Sequence, residues 1–83
     1  MKVEIYTKVT CGFCHHAKAL LKKKNIKFTE YKIDADPQLR KKMIERSNGA
    51  YTVPQIFINS KHVGGCDDLY ALENADKLDE LLK

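Results

Sequence analysis

The feature that most constrains this chain is a change of hydrophobic period within its first third. Residues 2–6 alternate, with Val3 and Ile5 on one side, as a short strand does. Phe13, Ala17, Leu20 and Leu21 then recur at i, i+4, i+7 and i+8, which predicts a helix from about Gly12 to Lys24, ended by Asn25. Lys27 to Ile33 is β-branched and aromatic, a second strand. A strand, a helix and a strand in such close succession imply a right-handed parallel β-α-β crossover.

The rest of the chain fits around that unit. Asp36-Pro37 is an N-cap followed by proline at the first helical position, and Leu39, Met43 and Arg46 carry the helix to Ser47-Asn48-Gly49. Gln55-Ile56-Phe57-Ile58 is apolar on both faces, as a central strand must be. Asn59-Ser60 turns it into a short partner strand, Lys61 to Val63. Gly64-Gly65 leads into a helix capped by Asp67 or Asp68 and carrying Leu69 and Leu72, with a last turn or two holding Leu78, Leu81 and Leu82. The order β-α-β-α-β-β-α predicts a single α/β domain, residues 1–83, with a four-stranded mixed sheet flanked by three or more helices.

Composition narrows the function. Fifteen Lys+Arg against 11 Asp+Glu give a formal charge of +4, suited to a small anionic substrate but not a nucleic-acid footprint. The basic run Lys22-Lys23-Lys24 lies at a helix C-terminus, where cations complement the dipole. No apolar run approaches the ~20 residues of a membrane span, and Met1-Lys2-Val3-Glu4-Ile5 lacks the apolar core of a signal peptide. Three cysteines, an odd number, fall far short of a disulfide scaffold. A reducing cytoplasm is therefore expected, with cysteine chemistry that is catalytic or metal-binding rather than structural.

That chemistry centres on Cys11-Gly12-Phe13-Cys14, at the junction of the first strand and first helix. The helix N-terminus supplies unpaired N–H groups that favour a thiolate, and Lys8 adds positive charge. Cys11, the outer thiol, is the expected nucleophile, and Cys14, facing inward, the resolving thiol. Three rivals fit the residues less well. Zinc wants four ligands, and Cys11, Cys14, His15 and His16 cannot close a tetrahedron from one helical turn. The match to C-x-x-C-H haem attachment lacks an export signal and starts a helix inside a βαβ unit. Inert burial leaves the spacing at a helix cap to chance. Two further segments bear on a ligand. Proline before a central strand in Thr52-Val53-Pro54-Gln55 raises a cis peptide that would leave the Val53 backbone free to pair. Gly64-Gly65-Cys66-Asp67-Asp68 offers close backbone approach and helix N–H groups for a carboxylate.

Tyr6-Thr7-Lys8 ahead of the dithiol, Thr52-Val53-Pro54-Gln55 and Gly64-Gly65-Cys66-Asp67-Asp68 stand in the order and spacing of a glutaredoxin, and the resemblance covers the whole chain. It implies a thioredoxin fold, a cis Pro54 and glutathione as co-substrate, with no tightly bound cofactor. By the same resemblance, Val53 would pair with the cysteinyl part of glutathione. The N–H groups around Gly65, Cys66 and Asp67 would hold the γ-glutamyl carboxylate, Lys8 and Arg40 would meet the glycine carboxylate, and Thr52 and Phe13 would line the groove with Pro54. The expected partners are glutathione and disulfide-containing or glutathionylated proteins, acted on by a monomer, with neither nucleic acid nor membrane. Potentials of about −200 to −230 mV in the family fit reduction by the glutathione pool.

The motif departs from the common dithiol pattern, which has proline and tyrosine where this chain has Gly12 and Phe13. Gly-Phe is what the monothiol branch carries, and that branch can hold a [2Fe–2S] cluster between two chains, with Cys11 and glutathione thiolates as the ligands here. The chain lacks that branch's insertion and its Trp-Pro, and it keeps Cys14. Reduction is the expected role and cluster carriage the alternative.

Overall fold

The computed structural model describes residues 1–82. Strand β1 (Val3–Thr7) is buried along its whole length because it is central. It pairs in parallel with β2 (Thr29–Lys32) and antiparallel with β3 (Gln55–Ile58), which pairs antiparallel with β4 (Lys61–Gly64). The sheet order is β2-β1-β3-β4, the four-stranded mixed sheet expected from the sequence. The helices are α1 (Gly12–Lys23), α2 (Pro37–Arg46), α3 (Cys66–Asn74) and α4 (Leu78–Leu81).

Alternation along β1 sorts two cores onto the two faces of the sheet. Val3 and Ile5 join Ala17, Leu20 and Leu21 of α1, Leu69 of α3, and Leu78 and Leu82 at the C-terminal turn. Tyr6, on the other face, packs with Ile33, Met43 and Phe57 beneath α2. That second face also hides a charge. Glu4 is 3% exposed and takes both guanidinium nitrogens of Arg46, at 2.9 and 3.1 Å, so α2 is tied to β1 by an ion pair as well as by Met43.

Helix ends follow local chemistry. Asp36 caps α2 by accepting from Gln38 N at 2.9 Å. Asn25, Asn48 and Asp76 follow α1, α2 and α3 with φ of 59°, 56° and 58°, the left-handed conformation these short polar side chains tolerate best after glycine. The amide two residues past each cap closes back on the helix, as in Ile26 N to Leu21 O at 2.9 Å. Asn59 and Ser60 both have positive φ, the twist that joins β3 and β4 tightly. One expectation is corrected. Neither Asp67 nor Asp68 caps α3: the cap is Gly65, and Asp68 reaches back from the first turn to accept from Gly65 N at 2.9 Å. Among the described residues no helix is long and apolar enough to cross a membrane.

Candidate active site

Three chain segments converge at one edge of the molecule: the start of α1, the entry to β3 and the start of α3. The turn after β1 is closed by Cys11 N donating to Lys8 O at 3.2 Å, which sets Cys11 in extended backbone as the N-cap of α1. Its sulfur does what a serine or aspartate oxygen does in that position, accepting from Cys14 N at 3.1 Å. No acidic residue stands in the first turn of α1 to oppose the helix's positive end.

The two thiols have different surroundings. Cys11 is half-buried and Cys14 fully buried. Burial, then the hydrogen bond with Cys11, pushes the Cys14 thiol up to about 12, against the Lys8 backbone N–H and the Lys18 charge, which pull the other way. Cys14 is thus a protonated thiol at neutral pH, and Cys11 is the more accessible sulfur of the pair. Cys11 Sγ also lies 3.7 Å from Val53 O. The Cys11 sulfur thus sits between the Cys14 N–H and the Val53 carbonyl, which puts the backbone of Val53 directly beside it.

The Val53–Pro54 peptide is cis. It forms one wall of a groove of about 320 Å³ lined by Phe13, Thr52, Val53, Pro54, Gly65, Cys66 and Asp67. The opposite wall is the start of α3. A Cβ at Gly65 would stand 3.3 Å from Asp67 Oδ1 and 3.5 Å from Pro54 O, narrowing the groove between them. Cys66 is buried, its thiol pushed up by burial and then by the neighbouring Asp67 and Cys11. Phe13 is an exposed apolar side chain of the lining, and Val9 and Tyr51, two residues before Cys11 and one before Thr52 in the chain, are exposed as well.

Of the nine residues the sequence marked for a ligand, these seven come together. Lys8 and Arg40 do not line the groove: both are exposed, Lys8 in the turn before Cys11 and Arg40 on α2. His15 turns away, its Nε2 lying 3.2 Å from Val9 O. Sequence reasoning missed the side chain that braces the groove from behind. Gln55, 4% exposed, donates from Nε2 to Thr52 O at 3.0 Å. The signal was a polar residue opening an otherwise apolar strand, since a buried amide needs partners.

A dithiol at a helix N-terminus, on a β-α-β unit followed by a β-hairpin and helix, with the carbonyl before a cis proline beside the outer sulfur, defines a thiol–disulfide oxidoreductase of the thioredoxin fold. A family model for glutaredoxin matches residues 3–63. The chain is 59% identical to Glutaredoxin 3 of Escherichia coli over 81 residues, 98% of this chain and 96% of that protein. It resembles the solution structure of glutaredoxin from Brucella melitensis with a TM-score of 0.87 and 57% identity, covering 100% of this chain and 89% of that one. The crystal structure of a buckwheat glutaredoxin–glutathione complex matches with a TM-score of 0.88 and 26% identity, over 96% of this chain and 74% of that one. The chain belongs to the glutaredoxin family, and it is a thiol–disulfide oxidoreductase.

Proposed function

We propose that the protein uses glutathione to reduce protein–glutathione mixed disulfides and protein disulfides, with Cys11 as nucleophile and Cys14 as resolving thiol. The observation that carries this reading is the groove. An apolar-walled slot with the N-terminus of α3 at one end and the Val53 backbone at the other opens beside Cys11 Sγ. That arrangement suits an extended tripeptide whose thiol must meet Cys11 and whose carboxylates need N–H groups or cations. The buckwheat relative was solved with glutathione. In this reading the Val53 backbone pairs with the cysteinyl unit, and the N–H groups of Cys66 and Asp67 hold the γ-glutamyl carboxylate. Lys8 and Arg40 reach from outside the groove to the glycine carboxylate.

The Cys11 thiolate attacks the glutathionyl sulfur of a mixed disulfide. A bond from Cys11 to glutathione forms, the old S–S bond breaks, and the protein sulfur leaves as a thiolate that takes up a proton. A second glutathione thiolate attacks the Cys11 adduct, releasing oxidised glutathione and regenerating Cys11. With a protein disulfide, Cys11 becomes joined to the substrate. Cys14 then gives up its proton as its sulfur attacks Cys11, forming the Cys11–Cys14 disulfide and expelling the reduced substrate. Two glutathiones return the pair to dithiol.

The test is turnover of a glutathionylated peptide with glutathione, in the native protein and in Cys14→Ser. Activity kept in Cys14→Ser and lost in Cys11→Ser is the expected result. No activity in the native protein would sink the reading and turn attention to iron. A [2Fe–2S] cluster could draw on Cys11 alone in each chain, since Cys14 and Cys66 are buried and protonated. It would therefore need a second copy and two glutathione thiolates.

A further inference from the structure

His62 and Gln55 stand outside the groove lining, and His62 has no part in the chemistry so far described. They are joined. In the β3–β4 pairing His62 lies opposite Phe57, with ring centroids 5.1 Å apart, while Val63 is the extra residue between that pair and Ile56–Gly64. Gln55 shares the face of β3 with Phe57, two residues earlier, which puts it within diagonal reach of the His62 ring. His62 Nε2 lies 2.6 Å from Gln55 Oε1, and the other end of the same amide donates from Nε2 to Thr52 O at 3.0 Å and to Thr52 Oγ1 at 3.4 Å.

The chain of donors has one consistent direction. A carbonyl oxygen only accepts, so the Gln55 NH₂ must face Thr52 O, which leaves Gln55 Oε1 towards the imidazole. The ring must then carry its proton on Nε2. Without that N–H the amide is held at one end only. A flip would set Gln55 Oε1 against Thr52 O, two acceptors facing each other. Thr52 adjoins Val53, whose carbonyl is 3.7 Å from Cys11 Sγ.

We propose that His62 is a positioning residue for the glutathione groove, acting through Gln55 to hold the Thr52 carbonyl and with it the Val53 backbone beside Cys11. This rests on the glutathione reading above. His62 touches neither sulfur nor groove, so its loss acts only through the Thr52–Val53 backbone, on the hold of the glutathionyl unit.

Steady-state reduction of a glutathionylated peptide by His62→Ala, Gln55→Leu and the double variant tests this, alongside alkylation of Cys11 by iodoacetamide. In His62→Ala, KM for the peptide should rise about fivefold, the scale of one lost hydrogen bond. Its kcat and the alkylation rate should each stay within about twofold. His62→Gln, whose amide can donate to Gln55 Oε1, should recover most of the native KM. In the Gln55→Leu background, His62→Ala should add nothing. An unchanged KM in His62→Ala, or two independent and additive effects, overturns the role of His62 while native turnover stands. No turnover in the native protein overturns the groove reading and this inference together. Nitrogen NMR of the native imidazole reads the arrangement without any variant: an Nε2–H tautomer is expected, and an Nδ1–H tautomer overturns it.

Discussion

Cys14 shows how a single buried atom shapes both chemistry and stability. Its thiol is pushed from 9.0 up to about 12, chiefly by burial. A folded-state value above the unfolded one contributes stability that is fully present below about 9 and is lost as pH rises towards 12. Urea midpoints of the native protein should therefore fall between pH 9 and 10.5, and Cys14→Ser should flatten that fall. Equal slopes would mean other groups govern the alkaline limb. The glycines at the start of α3 make a second contrast at this scale. Gly64 has φ of 122°, and a Cβ there would collide with the Asp68 carboxylate, so Gly64→Ala should cost about 1–3 kcal/mol in thermal unfolding. Gly65 has φ of −91°, which alanine adopts freely. Its substitution should leave the fold intact and raise KM for a glutathionylated peptide, because the added methyl stands between Asp67 and Pro54. A KM unchanged in Gly65→Ala would mean the ligand does not enter between them.

Among α1, α2 and α3, α2 is the one held least by apolar packing, with Met43 its only buried residue. Its anchor is Arg46, which pairs both nitrogens with Glu4, donates to Tyr6 at 3.0 Å and lies 4.1 Å over the Phe57 ring. Arg46→Ala would leave a carboxylate that is 4% exposed with only the Tyr31 hydroxyl and the more distant Lys2, and should destabilise the protein by roughly 3 kcal/mol in denaturant unfolding. A loss under about 1 kcal/mol would show that water reaches Glu4 once Arg46 is gone. The Arg46 hydrogen bonds, aided by Tyr31, hold the Glu4 carboxyl below the usual carboxylate range despite its burial. The contribution is therefore present above the unfolded value of 4.5 and lost as pH falls through the lower folded one. None of this was legible in the alternation of β1, which marks Val3 and Ile5 as inward but cannot say that a helix also covers Glu4. The elements themselves were legible, because caps, turns and periods agree locally along this chain. The dithiol and the groove segments could be read from fixed short spacings. The Glu4–Arg46 pair and the Gln55 amide could not, because each depends on residues brought together by tertiary packing.

For the whole molecule, the two faces of the sheet are unequal in a way that separates function from part of the fold. Among the described residues, the core between the sheet and α1, α3 and α4 holds eleven buried residues, and the core between the sheet and α2 holds four. Every residue lining the groove comes from α1, from the segment entering β3 or from the start of α3. A face with few buried contacts opens at lower free energy than the global transition. Native-state hydrogen exchange should thus show α2 amides exchanging through a partial opening, at least about 1 kcal/mol below the amides of β1 and β3. Glutathione at a hundred times its Kd, bound to Cys11→Ser so that no disulfide forms, should raise the global value by about 2.7 kcal/mol. The α2 opening should rise by no more than ~1 kcal/mol, what one exposed ion pair from Arg40 contributes. An equal rise in both would mean that α2 cannot open while the groove is filled, and would move Arg40 from an outlying contact to a part of the site.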